Sequence, residues 1–316
     1  MSKVKSESDF VKAKRIGIPK GLLYFKYQVM WRSFFEELGF EVVVSPSTNK
    51  AILDMGIDSS IDESCTSSKI YMGHVQWLIG KCDYIFVPRV VSYPDGDITC
   101  TKFHGQYDIC RATFPDEKFL HYNIDYANGH TTIGAYKKMA AELGVKPALV
   151  RPAFENALKK LQDFEHDLKC QQDKLMDDDK LKVLVVAHPY NIYDKLIGEP
   201  IVKSLEELGA SVIYADVPDT AQMCELSISL SNSVYWKYNK ELIGAVGYYR
   251  DKIDGLIFLA TFPCGPDSLA IELLVRKLGD IPMTTLVADS NFGEAGLQTR
   301  VESFIDIIEA RKKGGF

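Results

Sequence analysis

The chain has 316 residues, 46% of them hydrophobic and 25% charged, with a formal net charge of -6. This composition is typical of a globular protein with room for two domains of about 150 residues each. The acidic balance disfavours binding to nucleic acid or to an anionic membrane surface, because both need clustered basic residues. No apolar run reaches the roughly 20 residues of a membrane-spanning helix, so we expect no membrane insertion.

The first segment, residues 1–13, is charged and is predicted to be a flexible tail. It lacks the apolar core of a signal peptide, so we expect the protein to be cytoplasmic. From Arg15 to Pro46 the sequence predicts a strand, a loop, a helix and a second strand. The helix has apolar residues every three or four positions and a glycine at its end, namely Tyr27, Met30, Phe34, Leu38 and Gly39.

Two further helices are predicted outside the strand-rich regions. Residues 151–180 have many charges and few apolar positions, which is typical of a long, solvent-exposed connecting helix. Residues 296–316 are predicted to form a terminal helix that packs back onto one of the lobes. Its apolar face consists of Val301, Phe304, Ile305 and Ile308.

The plan of the first part of the chain occurs a second time. The run from Lys182 to Asp216 again predicts strand, helix and strand, and the segment EELG stands at 36–39 and at 206–209. Apolar runs that begin at Cys82 and Ile253 form a second matching pair. Strands that alternate with helices indicate parallel sheets. We therefore predict an α/β fold of two similar Rossmann-like lobes. Their bounds are 14–150 and 181–295.

Three of the seven cysteines lie where ligands bind in such folds. Cys65, Cys100 and Cys264 each stand at the carboxyl end of a predicted strand or at the start of a helix. Helix N-termini stabilise thiolates, and the carboxyl edge of a parallel sheet is the usual ligand site. We expect the three thiols to meet in the cleft between the lobes, with Cys264 held between Pro263 and Pro266.

The remaining cysteines have less informative surroundings. Cys82 opens a strand, Cys224 lies among apolar helical residues and Cys170 lies on the charged connector, so all three are predicted to be structural. Cys110 is close to Cys100 in the sequence, and its role stays open. The odd number and irregular spacing of the cysteines argue against a disulfide framework.

Six segments occur in a fixed order along nearly the whole chain and carry a resemblance to a known family. They are RIGIPKGLLYFKY with FFEELGFEVVVSPSTNK, DESC followed by MGHV, IFVPRVVS, Cys100 with Lys102 and Gly105, FPCGPDS, and EAGLQTRVESF. Together they resemble the 2-hydroxyacyl-CoA dehydratase superfamily, in particular the stand-alone dehydratase-like domain of the acyl-CoA dehydratase activase-related proteins. The resemblance implies a [4Fe-4S] cluster held in the cleft by Cys65, Cys100 and Cys264, with one iron left open.

The same resemblance implies an iron–sulfur redox protein that works with other chains. In that family a separate ATP-hydrolysing activase delivers one electron, and the open iron binds the thioester carbonyl of an acyl-CoA before water is eliminated. The implied partners are therefore an activase or a related dehydratase subunit, and an acyl-CoA substrate. This chain has neither a G-x-x-x-x-G-K-[ST] loop nor a G-x-G-x-x-G motif after a strand, so it is not predicted to be the ATPase.

The family's usual prolines after the first two cysteines are absent here. The sequence reads CTSSK at Cys65 and CTKFHG at Cys100. No ligand atom is lost, so we still expect cluster binding. The sequence does not specify a particular reaction. Whether the chain is a dehydratase-like lyase or a component of an ATP-coupled reductase stays open.

Several polar residues are candidates for supporting roles. His74 on the following helix could orient the site or donate a proton, although a satisfied buried histidine is the more common case. His104 could serve as a fourth ligand, and Lys102 or Arg89 could neutralise the charge of a cluster or a substrate phosphate. The terminal motif is expected mainly to cap and anchor the last helix, through Glu294, Thr299, Arg300 and Glu302.

An alternative function keeps the architecture without the redox chemistry. The chain could be a two-lobed binding or assembly module that holds zinc, or no metal, on its three cysteines. The wide dispersal of the ligands, over roughly 200 positions, favours iron because structural zinc usually uses closely spaced cysteine pairs.

Overall fold

Two four-stranded parallel sheets organise the protein, as seen in a computed structural model that describes residues 14–279, 281–290 and 294–314. The predicted flexible tail, residues 1–13, lies outside the described residues. The α/β architecture with two Rossmann-like lobes is confirmed. No helix within the described ranges is long and apolar enough to cross a membrane.

The N-terminal lobe is built on a sheet with the strand order β2-β1-β3-β5. Its strands are β1 (Arg15–Ile18), β2 (Glu41–Val44), β3 (Tyr84–Phe86) and β5 (Phe119–Leu120). Its helices are α1 (Tyr24–Glu37), α2 (Lys50–Asp58), α3 (Thr66–Leu78), α4 (Thr101–Thr113) and α5 (Thr132–Glu142). A separate parallel pair, β4 (Arg89–Ser92) and β6 (Asn123–Asp125), extends this lobe.

The C-terminal lobe has the sheet order β10-β9-β7-β8. Its strands are β7 (Leu181–Val186), β8 (Ala210–Tyr214), β9 (Gly255–Thr261) and β10 (Met283–Ala288). Its helices are α7 (Pro189–Ile192), α8 (Glu199–Glu207), α9 (Thr220–Leu230), α10 (Lys237–Tyr249), α11 (Gly265–Lys277) and α12 (Glu294–Lys312). Counted from its own first strand, each sheet has the order second, first, third, fourth, so the two lobes share one topology.

A 30-residue helix, α6 (Pro147–Met176), joins the lobes. Proline at its first position suits a helix start, where no intrahelical partner is needed for the backbone nitrogen. The helix begins four residues before the predicted connector and ends four residues before its predicted end. One face is buried against the N-terminal lobe, through Val150, Ala153, Ala157 and Leu161.

Glycines let two helix pairs approach at backbone distance. A Cβ atom at Gly73 of α3 would lie 1.9 Å from the carbonyl oxygen of Ile52 in α2. A Cβ atom at Gly244 of α10 would lie 1.8 Å from the carbonyl oxygen of Met223 in α9. Only glycine fits at either position. A glycine therefore sets the close approach of α3 to α2 in one lobe and of α10 to α9 in the other.

Each lobe also completes the hydrophobic core of the other. Leu53 of α2 and Ile70 of α3 are buried in a cluster formed mostly by the C-terminal lobe. Tyr238 of α10 is buried in the cluster of the N-terminal lobe. The starts of α3 and α10 are therefore held between the lobes, and this places their first residues in the cleft.

Candidate cysteine site between the lobes

The three cysteines predicted to gather each occupy the residue immediately before a helix. Cys65 precedes α3, Cys100 precedes α4 and Cys264 precedes α11, and all three have extended backbone angles. In this N-cap position a side chain faces the free backbone N–H groups of the first helical turn. The structure thus confirms that these thiols stand at helix starts.

Backbone N–H groups of the first helical turn lie near each of the three sulfur atoms, although none of the three side chains makes a cap hydrogen bond. These groups belong to Ser68 near Cys65, to Lys102 and Phe103 near Cys100, and to Asp267 near Cys264. These contacts lower the pKa of the thiols, but burial is the larger effect and raises it. The pKa of Cys100 is about 11. The pKa values of Cys65 and Cys264 are also raised, that of Cys264 by burial and by the neighbouring Asp267 carboxylate.

The three thiols interact electrostatically with a common set of neighbours. Cys65 interacts with Cys100 and with Cys264, and all three act on the hydroxyl of Tyr190. A cavity of about 20 Å³ is lined by Cys100 and Cys264 together with Tyr190, among other residues. Within the described ranges, however, no three His, Cys, Asp or Glu side chains are spaced to hold a metal ion. Cys100 and Cys264 line this narrow cavity, and Cys65 lies close enough to interact with both without lining it, so the three thiols do not form a closed ligand cage.

A buried polar network lies against Cys264. The carboxylate of Asp267 accepts hydrogen bonds from His188 Nε2 and Asn239 Nδ2, both at 2.8 Å. Burial alone would raise the pKa of Asp267, but the charge and hydrogen bonds of these partners hold it below its usual value. Asp267 is therefore an ionised carboxylate in the cleft. This network was not predicted from the sequence, although His188 stands two residues after the carboxyl end of the apolar strand β7.

His188 has one ring nitrogen without a partner. Its Nδ1 atom is buried and makes no hydrogen bond, and the residue is 3% exposed. The ring stacks on Tyr190 with centroids 4.9 Å apart and lines the cysteine cavity. Tyr238 closes the same wall, 6.4 Å from the His188 ring. An unpartnered nitrogen at such a wall can hydrogen-bond to a ligand in the cavity.

Among the predicted supporting residues, Lys102 lies nearest to the cysteines. Its Nζ atom donates to Ser64 Oγ at 3.2 Å, and its charge lowers the pKa of Cys65. His104 is in the first turn of α4, and burial lowers its pKa. Its Nε2 atom is buried and has no hydrogen-bond partner. Arg89 lies on β4, and its buried Nε atom also lacks a partner.

His74 lies deeper in α3 and is fully buried. Its two ring nitrogens hydrogen-bond with Ser45 Oγ at 3.0 Å and with Thr48 Oγ1 at 3.1 Å. Burial lowers the pKa of His74 to about 3. The residue does not line the cysteine cavity. Its contacts tie α3 to the loop after β2.

The other four cysteines are not among the residues that line the cavity. Cys82 lies under Gly17, and Cys110 is buried beside Met72 and Gln106. Cys170 is exposed on α6, 3.6 Å from His166. Cys224 lies 3.7 Å from Lys237 Nζ.

The terminal motif attaches α12 to the sheet. Arg300 donates to the backbone oxygen of Thr285 on β10 at 2.8 Å, and Glu302 accepts from Gln298 at 3.1 Å. The apolar positions predicted for this helix are buried in the C-terminal lobe, namely Val301, Phe304, Ile305 and Ile308.

A larger cavity of about 580 Å³ opens between the lobes beside α6. Its lining includes Lys20, Tyr193 and Asp216, which follow β1, α7 and β8. Burial raises the pKa of Asp216 to about 6, and Tyr193 donates to its carboxylate at 3.1 Å.

The large cavity approaches the cysteines through a small intermediate cavity. That cavity shares Lys26 and Pro189 with the large one and shares His188, Tyr190 and Tyr238 with the cysteine cavity. The three cavities therefore form a row of neighbours from α6 to Cys100 and Cys264, in which the two inner cavities, of about 10 and 20 Å³, each have the size of one water molecule. This row is not predictable from local sequence, because its residues come from separate loops.

Comparison with known proteins identifies one family. The CoA enzyme activase uncharacterised domain (DUF2229) matches residues 15–217. No curated protein matches the chain. Among solved structures, a crystal structure of ZnuA is 10% identical, with 95% of this chain and 99% of that one covered and a TM-score of 0.29. UDP-GlcNAc 2-epimerase from Methanocaldococcus jannaschii is 12% identical, with 93% and 92% covered and a TM-score of 0.21.

Proposed function

Because the chain belongs to the family of the CoA enzyme activase uncharacterised domain, we propose that it is an iron–sulfur protein that accepts electrons from a separate ATP-hydrolysing activase. The observation that carries the proposal is the placement of Cys65, Cys100 and Cys264 at three helix starts, drawn from both lobes around Tyr190. A [4Fe-4S] cluster on these thiolates would supply one-electron chemistry in the cleft.

The donor set suits a thiolate-bound metal centre. All three cysteines stand at helix N-termini with backbone N–H groups nearby, an environment that stabilises thiolates and tunes the potential of iron–sulfur centres. Burial raises the pKa of each thiol, so without a metal they stay protonated at neutral pH. Metal binding must then release protons from the thiols, so it should be stronger at higher pH.

The chain's own residues also suit a reaction on a bound acyl group. The large cavity beside α6 has room for a substrate, and an acyl group would reach the cysteines only if the two small inner cavities, walled by Tyr190 and Tyr238, widened on binding. His188 can hold a proton on Nδ1 while its Nε2 atom stays bonded to Asp267. We propose an acyl-CoA as the substrate, which places the thioester near the cysteines and the nucleotide toward the large cavity.

The test is metal analysis of protein purified without oxygen. We expect a brown protein with about four irons per chain and broad absorption near roughly 400 nm. Substituting Cys65→Ser, Cys100→Ser or Cys264→Ser should abolish or strongly reduce the iron content. The matched controls Cys82→Ser, Cys170→Ser and Cys224→Ser should retain it, since none of these cysteines stands at a helix start in the cleft.

Colourless protein with one zinc per chain would contradict the proposal and support the binding or assembly module instead. Loss of iron in a control variant but not in Cys264→Ser would contradict the ligand assignment.

A further inference from the structure

The cysteine site has an approximate two-fold repeat that includes a fourth helix start. In the N-terminal lobe, α3 begins after Cys65 and α4 begins after Cys100. The equivalent helices of the C-terminal lobe are α10 and α11, because each pair flanks the third strand of its sheet. Helix α11 begins after Cys264, and α10 begins after Trp236.

Hydrogen bonds between the lobes show the same repeat. The backbone N–H of Thr66, one residue after Cys65, donates to the carbonyl oxygen of Phe262 at 2.9 Å. The N–H of Lys237, one residue after Trp236, donates to the carbonyl oxygen of Ile98 at 2.8 Å. Each acceptor stands two residues before a cysteine of the other lobe. Trp236 therefore faces Cys100 as Cys65 faces Cys264.

The glycines of the helix crossings support this equivalence. Gly73 follows Cys65 by as many residues as Gly244 follows Trp236, and each meets a backbone oxygen of the preceding helix. The residues before α3 and α10, Cys65 and Trp236, therefore stand at equivalent positions relative to the two helix crossings.

Trp236 lines the same cavity as two of the three cysteines. It contributes to the wall together with Cys100 and Cys264, and its ring lies 4.4 Å from that of Tyr235. Tryptophan has an N–H donor and no lone pair that binds a metal. A fourth thiolate at this position would close the coordination of a bound metal, as in structural metal sites.

We propose that Trp236 occupies the fourth corner of the cysteine site and keeps the fourth coordination position of its metal free for an exogenous ligand. The proposal rests on the proposed metal site, but Trp236 is not one of the metal ligands of the proposed function. It makes Trp236 a positioning residue that separates an open, ligand-accepting site from a closed structural one.

The first test uses Trp236→Cys with Co²⁺ as the metal and iodoacetamide as the thiol probe. In the wild-type protein, we expect Co²⁺ to protect Cys65, Cys100 and Cys264 from alkylation. In Trp236→Cys it should protect the new thiol as well, slowing its alkylation by at least about tenfold. The matched control is Tyr235→Cys, because Tyr235 is the adjacent residue and is 52% exposed. Its new thiol should react at the same rate with and without Co²⁺.

A metal-free measurement keeps the test independent of any cluster. Mild oxidation of Trp236→Cys with diamide should form a disulfide to Cys100 or Cys264, found by peptide mapping, whereas Tyr235→Cys should not form it. A new thiol in Trp236→Cys that reacts like that of Tyr235→Cys in both measurements would overturn the assignment of Trp236. Protection of three thiols by Co²⁺ without iron uptake would instead contradict the proposed function and leave the fourth-corner assignment standing.

Discussion

Each lobe contains a fully buried histidine close to the cleft, and the two residues differ in their hydrogen bonding. His74 of α3 is 0% exposed and has partners on both ring nitrogens, Ser45 and Thr48. His188, after β7, is 3% exposed and has a partner on one nitrogen only, Asp267. A buried histidine with both nitrogens satisfied has a structural role, while a free nitrogen beside a cavity is available to a ligand.

The environment of His74 extends across the cleft. Thr48, its Nε2 partner, donates to the carboxylate of Asp194 in the C-terminal lobe. Asp194 also accepts the backbone N–H groups of Leu196 and Ile197. The His74 region is therefore a buried polar contact between lobes, whereas the His188 region is the wall of the cysteine cavity.

The largest expected effect is on stability at His74. His74→Leu leaves Ser45 and Thr48 without their buried partner, and we expect it to lower the free energy of unfolding by about 3 kcal/mol. Urea denaturation measures this change. The matched control, His130→Leu, alters an exposed histidine and should change stability by less than about 0.5 kcal/mol. Equal effects of the two substitutions would show that the His74 hydrogen bonds do not stabilise the fold.

A smaller effect is expected in the pH dependence of stability. The pKa of His74 is about 3 in the folded protein and about 6.5 when unfolded, because burial disfavours its charged form. The stabilising contribution is present above pH 6.5 and is lost as the pH falls, since the unfolded chain binds the proton first. Between pH 7 and pH 5 we expect a loss of about 2 kcal/mol that His74→Gln lacks.

The measurement compares urea denaturation of the wild-type protein and His74→Gln at both pH values. His104 and His121 also have lowered pKa values, but they are present in both proteins and cancel in the difference. If the free energy of unfolding changes equally with pH in both proteins, the pKa of His74 is the same in the folded and unfolded states and the prediction is wrong.

The smallest effect is expected at His188. His188→Gln keeps a side-chain N–H that can donate to the Asp267 carboxylate, and it removes a buried nitrogen that has no partner. Asn239 continues to donate to Asp267. We therefore expect a loss of about 1 kcal/mol in urea denaturation. A loss as large as that of His74→Leu would indicate that His188 is also mainly structural.

Much of the fold follows from local patterns in the sequence. The repeated EELG segment marks helix ends that are followed by the second strand of each sheet, and the stop at Gly39 and Gly209 is a left-handed glycine in both lobes. The helix starts at Cys65, Cys100 and Cys264 are also predicted from their local sequence. The segment IFVPRVVS was expected to be one apolar run. Pro88 interrupts it, and its two halves form β3 and β4, which join different sheets.

The cavity walls could not be predicted in this way. Trp236, Asp267 and His188 meet from three separate elements, and nothing in their local sequence indicates the contact. The position of His74 was also misleading from sequence. It follows Cys65 by only nine residues, but along a helix this corresponds to roughly 13 Å, beyond the reach of one side chain.

The exchange of core residues between the lobes affects the order in which the chain can fold during synthesis. The N-terminal lobe's cluster includes Tyr238, which emerges from the ribosome long after β1 to β5. The C-terminal lobe's cluster in turn takes Leu53 and Ile70 from residues that are made early. Domains of larger proteins commonly fold in order as they are made. Here the core of the first lobe receives Tyr238 only once α10 has been made, and α2 and α3 keep apolar surface exposed until the second sheet has formed.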